Sequence, residues 1–157
     1  MRFLPFLFFL LVATSPTQAL PCATVNEARA EAFFGFLTYQ YLAAGLCEKN
    51  GKWPGTVILE IRMRSKFKAQ IVEANRARKR LYQRRYGKKW KTNITRIEKR
   101  FIEILLRRIR PDYGTCFDLQ SELARQIAEG WVYLSGKVDA AYHRARGNPG
   151  VRICKRM

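Results

Sequence analysis

The side chains that could support hydrolysis fall into two small groups, of which the first resembles a serine-hydrolase triad in composition. Ser135, Asp139 and His143 recur every four residues along the chain. In a working triad the histidine lies between the nucleophile and the carboxylate. On a helix Asp139 takes the middle position instead, and Ser135 and His143 lie about 12 Å apart. The spacing therefore indicates polar residues on a helix surface and not a catalytic site.

The second group is a pair of carboxylates, Glu27 and Glu31, one helical turn apart. Paired carboxylates can hydrolyse glycosidic bonds. Both residues, however, fall in the first turns of a predicted helix, where acidic side chains interact favourably with the helix dipole. We therefore expect no catalytic residue, no cofactor and no enzymatic activity, and a cell-envelope hydrolase is only the third interpretation of the chain.

The most unusual feature is a basic stretch, residues 62–110, with nineteen Lys or Arg against three acids in a chain of formal net charge +18. Clustered cations attract polyanions, and salt screens that attraction. We predict an anion-binding surface in the densest part of the stretch, at Arg76, Arg78, Lys79, Arg80, Arg84, Arg85, Lys88, Lys89 and Lys91. The alternative is a solvated face that binds nothing.

Three aromatic residues accompany these cations. Tyr82, Tyr86 and Trp90 are spaced by four residues and would form a stripe on one side of a helix. Aromatic faces beside cations suit stacked bases, sugar rings or a lipid interface, although the rings could instead pack against a neighbouring helix. The predicted partner is an anionic macromolecule, a membrane surface or an acidic protein. The sequence has no helix-turn-helix, zinc-finger or RRM signature that would narrow this choice.

Four cysteines, Cys22, Cys47, Cys116 and Cys154, favour two disulfides in an exported chain. Closely spaced ligand pairs are missing and the chain has one histidine, so no metal site is predicted. A helix would separate Cys22 from Cys47 by over ~30 Å, whereas disulfide Cα atoms lie roughly 4.4–6.8 Å apart. In an up-down bundle the remaining neighbours are Cys22 with Cys154 and Cys47 with Cys116. The crossed pairing, Cys22 with Cys116 and Cys47 with Cys154, would need a different connectivity or a long return of the chain.

Residues 1–19 have the layout of a secretory signal peptide, with a basic start, an apolar run and a polar end at Ala19. The apolar run is too short to cross about 30 Å of hydrocarbon as a helix. We therefore expect export to the periplasm or the extracellular space, and no transmembrane segment in the mature chain. Residues 20–157 would form a single helical domain that ends in an irregular tail, residues 147–157.

Hydrophobic periodicity predicts about four helices. The first follows a capping box formed by Thr24 and Glu27, and the second begins near Thr56 and stops at Gly87. A third helix begins between Thr92 and Thr95, with a second capping box at Thr95 and Glu98. A fourth is capped by Thr115 or Asp118 and has a kink or break near Ser135, and a last helical segment covers residues 138–146. The predicted fold is an all-α up-down bundle of about four helices with two disulfides.

A signal peptide, four helices and two disulfides together resemble the plan of helical cytokines such as the type I interferons, and that of small periplasmic helical proteins of Gram-negative bacteria. The function expected from the residues is an exported, non-enzymatic protein that binds an anionic partner through its basic region. The alternative is a secreted or periplasmic binder of one specific protein, such as a cytokine-like ligand, an inhibitor or an immunity protein, whose charge steers association.

Overall fold

A computed structural model describes residues 21–50, 53–146 and 154 of the chain. The predicted signal peptide, and the predicted tail apart from Cys154, lie outside the described residues. The described part is all-helical, with a short 3₁₀ turn at Gly87–Lys89 and the helices α1 (Val25–Lys49), α2 (Thr56–Lys66), α3 (Lys68–Tyr86), α4 (Trp90–Arg108), α5 (Tyr113–Glu129) and α6 (Trp131–Arg146).

The helix ends follow local hydrogen bonding, and one of the two predicted capping boxes is present. The Glu27 amide donates to Thr24 Oγ1 and the Thr24 amide to Glu27 Oε2, at 3.3 and 2.9 Å. The second box was predicted wrongly, since Thr95 lies inside α4 and donates to the Lys91 carbonyl. The cap of α5 is Asp112, whose carboxylate accepts from the Thr115 amide at 2.7 Å.

Two of the predicted helices are each divided in the structure. One is interrupted at Phe67, between α2 and α3, and the other at Gly130, between α5 and α6. Gly130 has φ +82°, a conformation that residues with a side chain rarely adopt. The predicted break near Ser135 is wrong, because α6 runs through that residue. Phe67 and Trp131 lie 6.0 Å apart between ring centroids, so both interruptions occur at the same level of the molecule.

The helices form an up-down arrangement around α1, which packs against every other α-helix of the described chain. The α2–α3 pair runs antiparallel to α1, since Arg64 contacts the Leu37 carbonyl and Arg84 contacts Glu27. Helix α4 returns parallel to α1, and α5–α6 runs antiparallel again. Helices α2 and α3 together correspond to the predicted second helix, and α5 and α6 to the predicted fourth helix and last helical segment. The expected bundle of about four helices therefore fits in outline.

A disulfide closes each end of the bundle. Cys47 and Cys116 join α1 to α5 with their Cα atoms 5.6 Å apart, and Cys22 and Cys154 are joined at 5.1 Å. These are the two pairings expected from the order of the helices. The main core lies nearer the first bridge and contains Phe33, Leu37, Met63, Phe67, Leu119, Leu123 and Leu134. A smaller cluster of Ala23, Ala28, Leu81 and Tyr142 lies nearer the second.

Candidate anion-binding surface

Arg78, predicted as an anion-binding residue, lies in the interior of the bundle. Its guanidinium donates to Glu31 on α1 at 3.0 Å and to Glu98 on α4 at 2.9 Å, and it covers the ring of Phe34 at 3.5 Å from the centroid. Burial raises the pKa of Glu31 above its usual value, and the positive charge of Arg78 opposes that rise. Arg78 therefore joins three helices and is not available to an external anion.

Arg84 and Arg85 hold the end of α3 against the beginning of the described chain. Arg84 binds both carboxylate oxygens of the buried Glu27 and also donates to the Cys22 carbonyl at 3.4 Å. The hydrogen bond from Arg84 lowers the pKa of Glu27 to about 2. Arg85 donates to the Pro21 carbonyl at 2.9 Å. Glu27 and Glu31 are thus acceptors for arginines of α3, a role that the helix-dipole explanation of this carboxylate pair did not include.

Arg76 and Arg80 lie on the outer side of α3 and share one acid. Their guanidinium groups lie 3.7 and 3.6 Å from the Glu73 carboxylate, and all three side chains are more than half exposed. Exposed ion pairs of this kind contribute only about 0–1 kcal/mol. These two arginines therefore remain accessible, but Glu73 offsets part of their charge.

Where α3 turns into α4, Trp90 lies among four of the predicted cations in sequence or in space: Lys79, Lys88, Lys89 and Lys91. We call these four lysines and Trp90 the turn surface. All four lysines are exposed, and none of them forms an ion pair with a carboxylate of the described residues. The ammonium groups of Lys79 and Lys91 lie 5.6 and 5.8 Å from the centre of the Trp90 ring. Cations at this distance are attracted to the face of an indole.

The predicted aromatic stripe divides into an interior part and a surface part. Tyr82 is buried, and its ring stacks on that of Tyr86 with centroids 5.9 Å apart. Burial, together with the charge of Glu31, raises the pKa of Tyr82. Tyr86 and Trp90 are only partly buried. Tyr82 thus packs within the bundle, as the alternative interpretation of the stripe proposed, and Trp90 belongs to the turn surface.

Further cations continue from the turn surface along α4. Arg96, Lys99, Arg100, Arg107 and Arg108 are all exposed. This helix has two acids, and Glu98 is bound to Arg78. Within α4, only Glu103 therefore remains to offset the charge of these five residues. These five cations lie beyond the densest basic run, residues 76–91, to which the predicted anion-binding surface is confined.

The residues considered for hydrolysis have ordinary structural contacts. Asp139 is 3.0 Å from Arg29 of α1 in an ion pair, and Ser135 donates to the Val132 carbonyl at 2.9 Å. His143 is exposed, and its ring lies against that of Tyr142. The three residues follow one another along α6, as their spacing predicts.

Between the level of Phe67 and Gly130 and the Cys22–Cys154 end of the bundle, the described backbones of α3 and α6 do not approach each other. The two helices leave a cleft of about 530 Å³ between them, and α1 forms its floor. Its apolar lining consists of Ala30, Phe33, Ala74, Ala77, Trp131 and Val138. The charges at its edge are paired with each other, Arg29 with Asp139 and Arg80 with Glu73. In a strongly basic protein, this cleft is close to electrically neutral.

Among the described residues, no group of three or more His, Cys, Asp or Glu side chains is placed to hold a metal ion. None of the helices in the described ranges combines the length and the hydropathy needed to cross a bilayer. Comparisons of the chain with protein-family models, with curated proteins and with solved structures find no match.

Proposed function

We propose that the protein is exported and binds an anionic partner, without enzymatic activity, through the turn surface. The observation that carries this proposal is the difference between two sets of cations in residues 76–91, which run from α3 through the 3₁₀ turn to the start of α4. Three arginines already bind acceptors within the protein: Arg78, Arg84 and Arg85. The four lysines of the turn surface, in contrast, have no carboxylate partner among the described residues.

Four uncompensated lysines on one turn repel each other, and core packing does not require them there. An external anion removes that repulsion. Trp90, between two of the lysines, offers a flat apolar surface that can pack against a base, a sugar ring or lipid. Attraction by exposed lysines is screened over about 8–10 Å at physiological salt, so binding should weaken as salt is added.

A charge-matched pair of variants tests the location of the site. The turn variant changes Lys79, Lys88, Lys89 and Lys91 to Gln. Its control removes the same charge from exposed positions away from the turn, at Lys49, Arg62, Lys68 and Arg125. Arg84 and Arg85 are left intact in both variants because they bind Glu27 and the Pro21 carbonyl. Thermal unfolding should be nearly unchanged in both variants.

The turn variant should bind immobilised heparin much more weakly than the control does. Each lost contact with a phosphate or sulfate lowers the salt dependence, by roughly 0.7–0.9 in the slope of log K against log salt for nucleic acids. The turn variant should therefore lose about three units of slope on a single-stranded DNA support. Equal losses in the two variants would mean that net charge, and not this surface, governs binding.

Export has its own test. Mass spectrometry of the secreted or periplasmic product should give a chain that begins at Leu20, because Ala19 ends the predicted cleavage segment. A mature protein that retains residues 3–12 would contradict the proposed export signal.

A second candidate, a binder of one specific protein, is supported by the neutral cleft between α3 and α6. An apolar floor with internally paired charges suits an uncharged side chain of a partner better than it suits a polyanion. Ser135→Trp would block the cleft from its edge. Binding that survives high salt, persists in the turn variant and is lost in Ser135→Trp would favour this candidate.

A further inference from the structure

Helix α4 is amphipathic, yet it lies against the bundle without burying any of its residues. Within the described part of the chain its backbone approaches α1, α3 and the 3₁₀ turn, but not α2, α5 or α6. Its inward contacts include Phe101, which meets Phe34 and Gly35 of α1, and Glu98, which is bound to Arg78. Leu105 is partly buried against the main core. The apolar side of α4 is therefore wider than the area that the bundle covers.

The uncovered part of that side contains Ile97 and Ile104, which are 39% and 42% exposed. At 100° per residue, these two side chains point within about 20° of each other. Arg96, Arg100 and Arg107 follow at about 40–100° around the helix from them. We call these five residues the α4 strip. Along it, exposed isoleucines and exposed arginines lie side by side from Arg96 to Arg107.

We infer that the α4 strip rests on the surface of an anionic phospholipid bilayer. This inference rests on the proposed function, since it names the anion that the protein binds. A helix in the plane of an interface places its apolar side chains at the boundary between headgroups and acyl chains and its cations among the phosphates. The isoleucines and arginines of the α4 strip match those two layers.

The same geometry favours a bilayer over a glycan or a nucleic acid. Sulfates and phosphates of a polyanion bind cations, and aliphatic side chains add little to such contacts. Half-exposed isoleucines beside arginines gain free energy only from a partner that is apolar as well as anionic. Trp90 begins the same helix face, and tryptophan is enriched at the boundary between membrane and water. Glu103 is the one acid of α4 outside the bundle contacts, and its charge is outnumbered there.

Co-sedimentation with vesicles tests the inference with matched substitutions. The strip variant carries Ile97→Ser and Ile104→Ser. Its control carries Ile58→Ser and Ile61→Ser on α2, where the side chains are 54% and 55% exposed and so at least as accessible. The vesicles contain phosphatidylglycerol with phosphatidylcholine, or phosphatidylcholine alone. Thermal unfolding establishes that both variants are folded.

The strip variant should lose about 10- to 100-fold in partitioning to phosphatidylglycerol vesicles, because two aliphatic side chains no longer enter the interface. The control variant should partition like the parent protein. Both should retain heparin binding, which depends on the lysines. Equal losses in the two variants, or no loss in either, would overturn the role of the α4 strip.

A second variant, Arg96→Gln with Arg100→Gln and Arg107→Gln, changes only exposed cations and should fold like the parent. It should lose most of the preference for phosphatidylglycerol over pure phosphatidylcholine vesicles, and an unchanged preference would contradict the inference. A parent protein that binds heparin but neither kind of vesicle would refute the bilayer and leave the proposed function standing. A parent protein that binds neither heparin nor vesicles would refute both.

Discussion

Replacing Arg78 by methionine should destabilise the protein strongly, although an arginine in a cationic run looks dispensable. The side chain is 5% exposed and holds Glu31, which is itself 18% exposed, and Glu98. Methionine can fill much of the space but cannot neutralise a carboxylate. Removing one partner of a buried ion pair typically costs about 3–5 kcal/mol, because the other charge is left uncompensated. For a domain of this size that loss corresponds to roughly 10–15 °C in Tm.

The pH dependence of the loss identifies its cause. Burial raises the pKa of Glu31, and Arg78 is the cation that opposes this. A carboxyl group whose folded pKa is raised destabilises the fold at pH values above its ordinary pKa, and ceases to do so once it is protonated. The deficit of Arg78→Met should therefore be largest near pH 7 and should shrink as the pH falls towards about 4.

Urea unfolding followed by circular dichroism, with the disulfides intact, measures the loss at both pH values. Arg76→Met serves as the control, since that arginine is on the same helix but its side chain is 68% exposed. The control should change the free energy of unfolding by at most about 0.5 kcal/mol. Adding Glu31→Gln to Arg78→Met should restore part of the stability by removing the stranded charge. Equal effects of the Arg78 and Arg76 substitutions would refute the interior role of Arg78.

Three further outcomes are expected. Arg84→Gln should destabilise the fold most at neutral pH, and its free energy of unfolding should approach that of the parent as the pH falls towards about 2. Arg84 lowers the Glu27 pKa to about that value, and the stabilisation that it gives exists only while Glu27 is ionised. Free energies of unfolding that differ by the same amount at every pH would contradict this. Gly130→Ala should cost about 1–3 kcal/mol through backbone strain alone, since its added Cβ meets no atom within 4 Å, and an unchanged Tm would show that the break between α5 and α6 relaxes freely. Replacing Cys47 and Cys116 together by Ser should lower the free energy of unfolding by roughly 2–5 kcal/mol, measured by thermal unfolding, and a smaller loss would mean that the core nearby holds this end without the bridge.

Features set by local sequence were predictable. The Thr24–Glu27 box depends on residues only three apart in the chain, and both of its hydrogen bonds are present. The disulfide pairings also followed from simple geometry, because a continuous α1 keeps its two ends far apart.

Features set by distant residues were not predictable in the same way. Arg78 finds Glu31 across 47 positions of the chain, and Arg84 finds Glu27 across 57. The sequence of a basic run does not show whether a given cation is exposed to solvent or is paired with an acid on another helix. One signal was present, since Arg78 lies one turn before Tyr82 and therefore shares the arc that packs inward.

The position of the break between α5 and α6 could not be predicted from helix propensity. Gly130 and Gly136 have similar helix propensity, and propensity cannot choose between them. The structure breaks at Gly130, where Trp131 can pack against Phe33 and Phe67, and continues through Gly136. Tertiary packing of the tryptophan decided the question.

The two disulfides have a consequence for a protein cut by a trypsin-like protease. Lys88 lies in the short turn between two helices, where exposed chain is most readily cleaved. A cut there leaves Cys22 and Cys47 on one piece and Cys116 and Cys154 on the other, so both bridges span the cut. The nicked protein would remain one molecule until it is reduced. A gel run without reductant would show it as uncut, while the new chain ends fall within the turn surface.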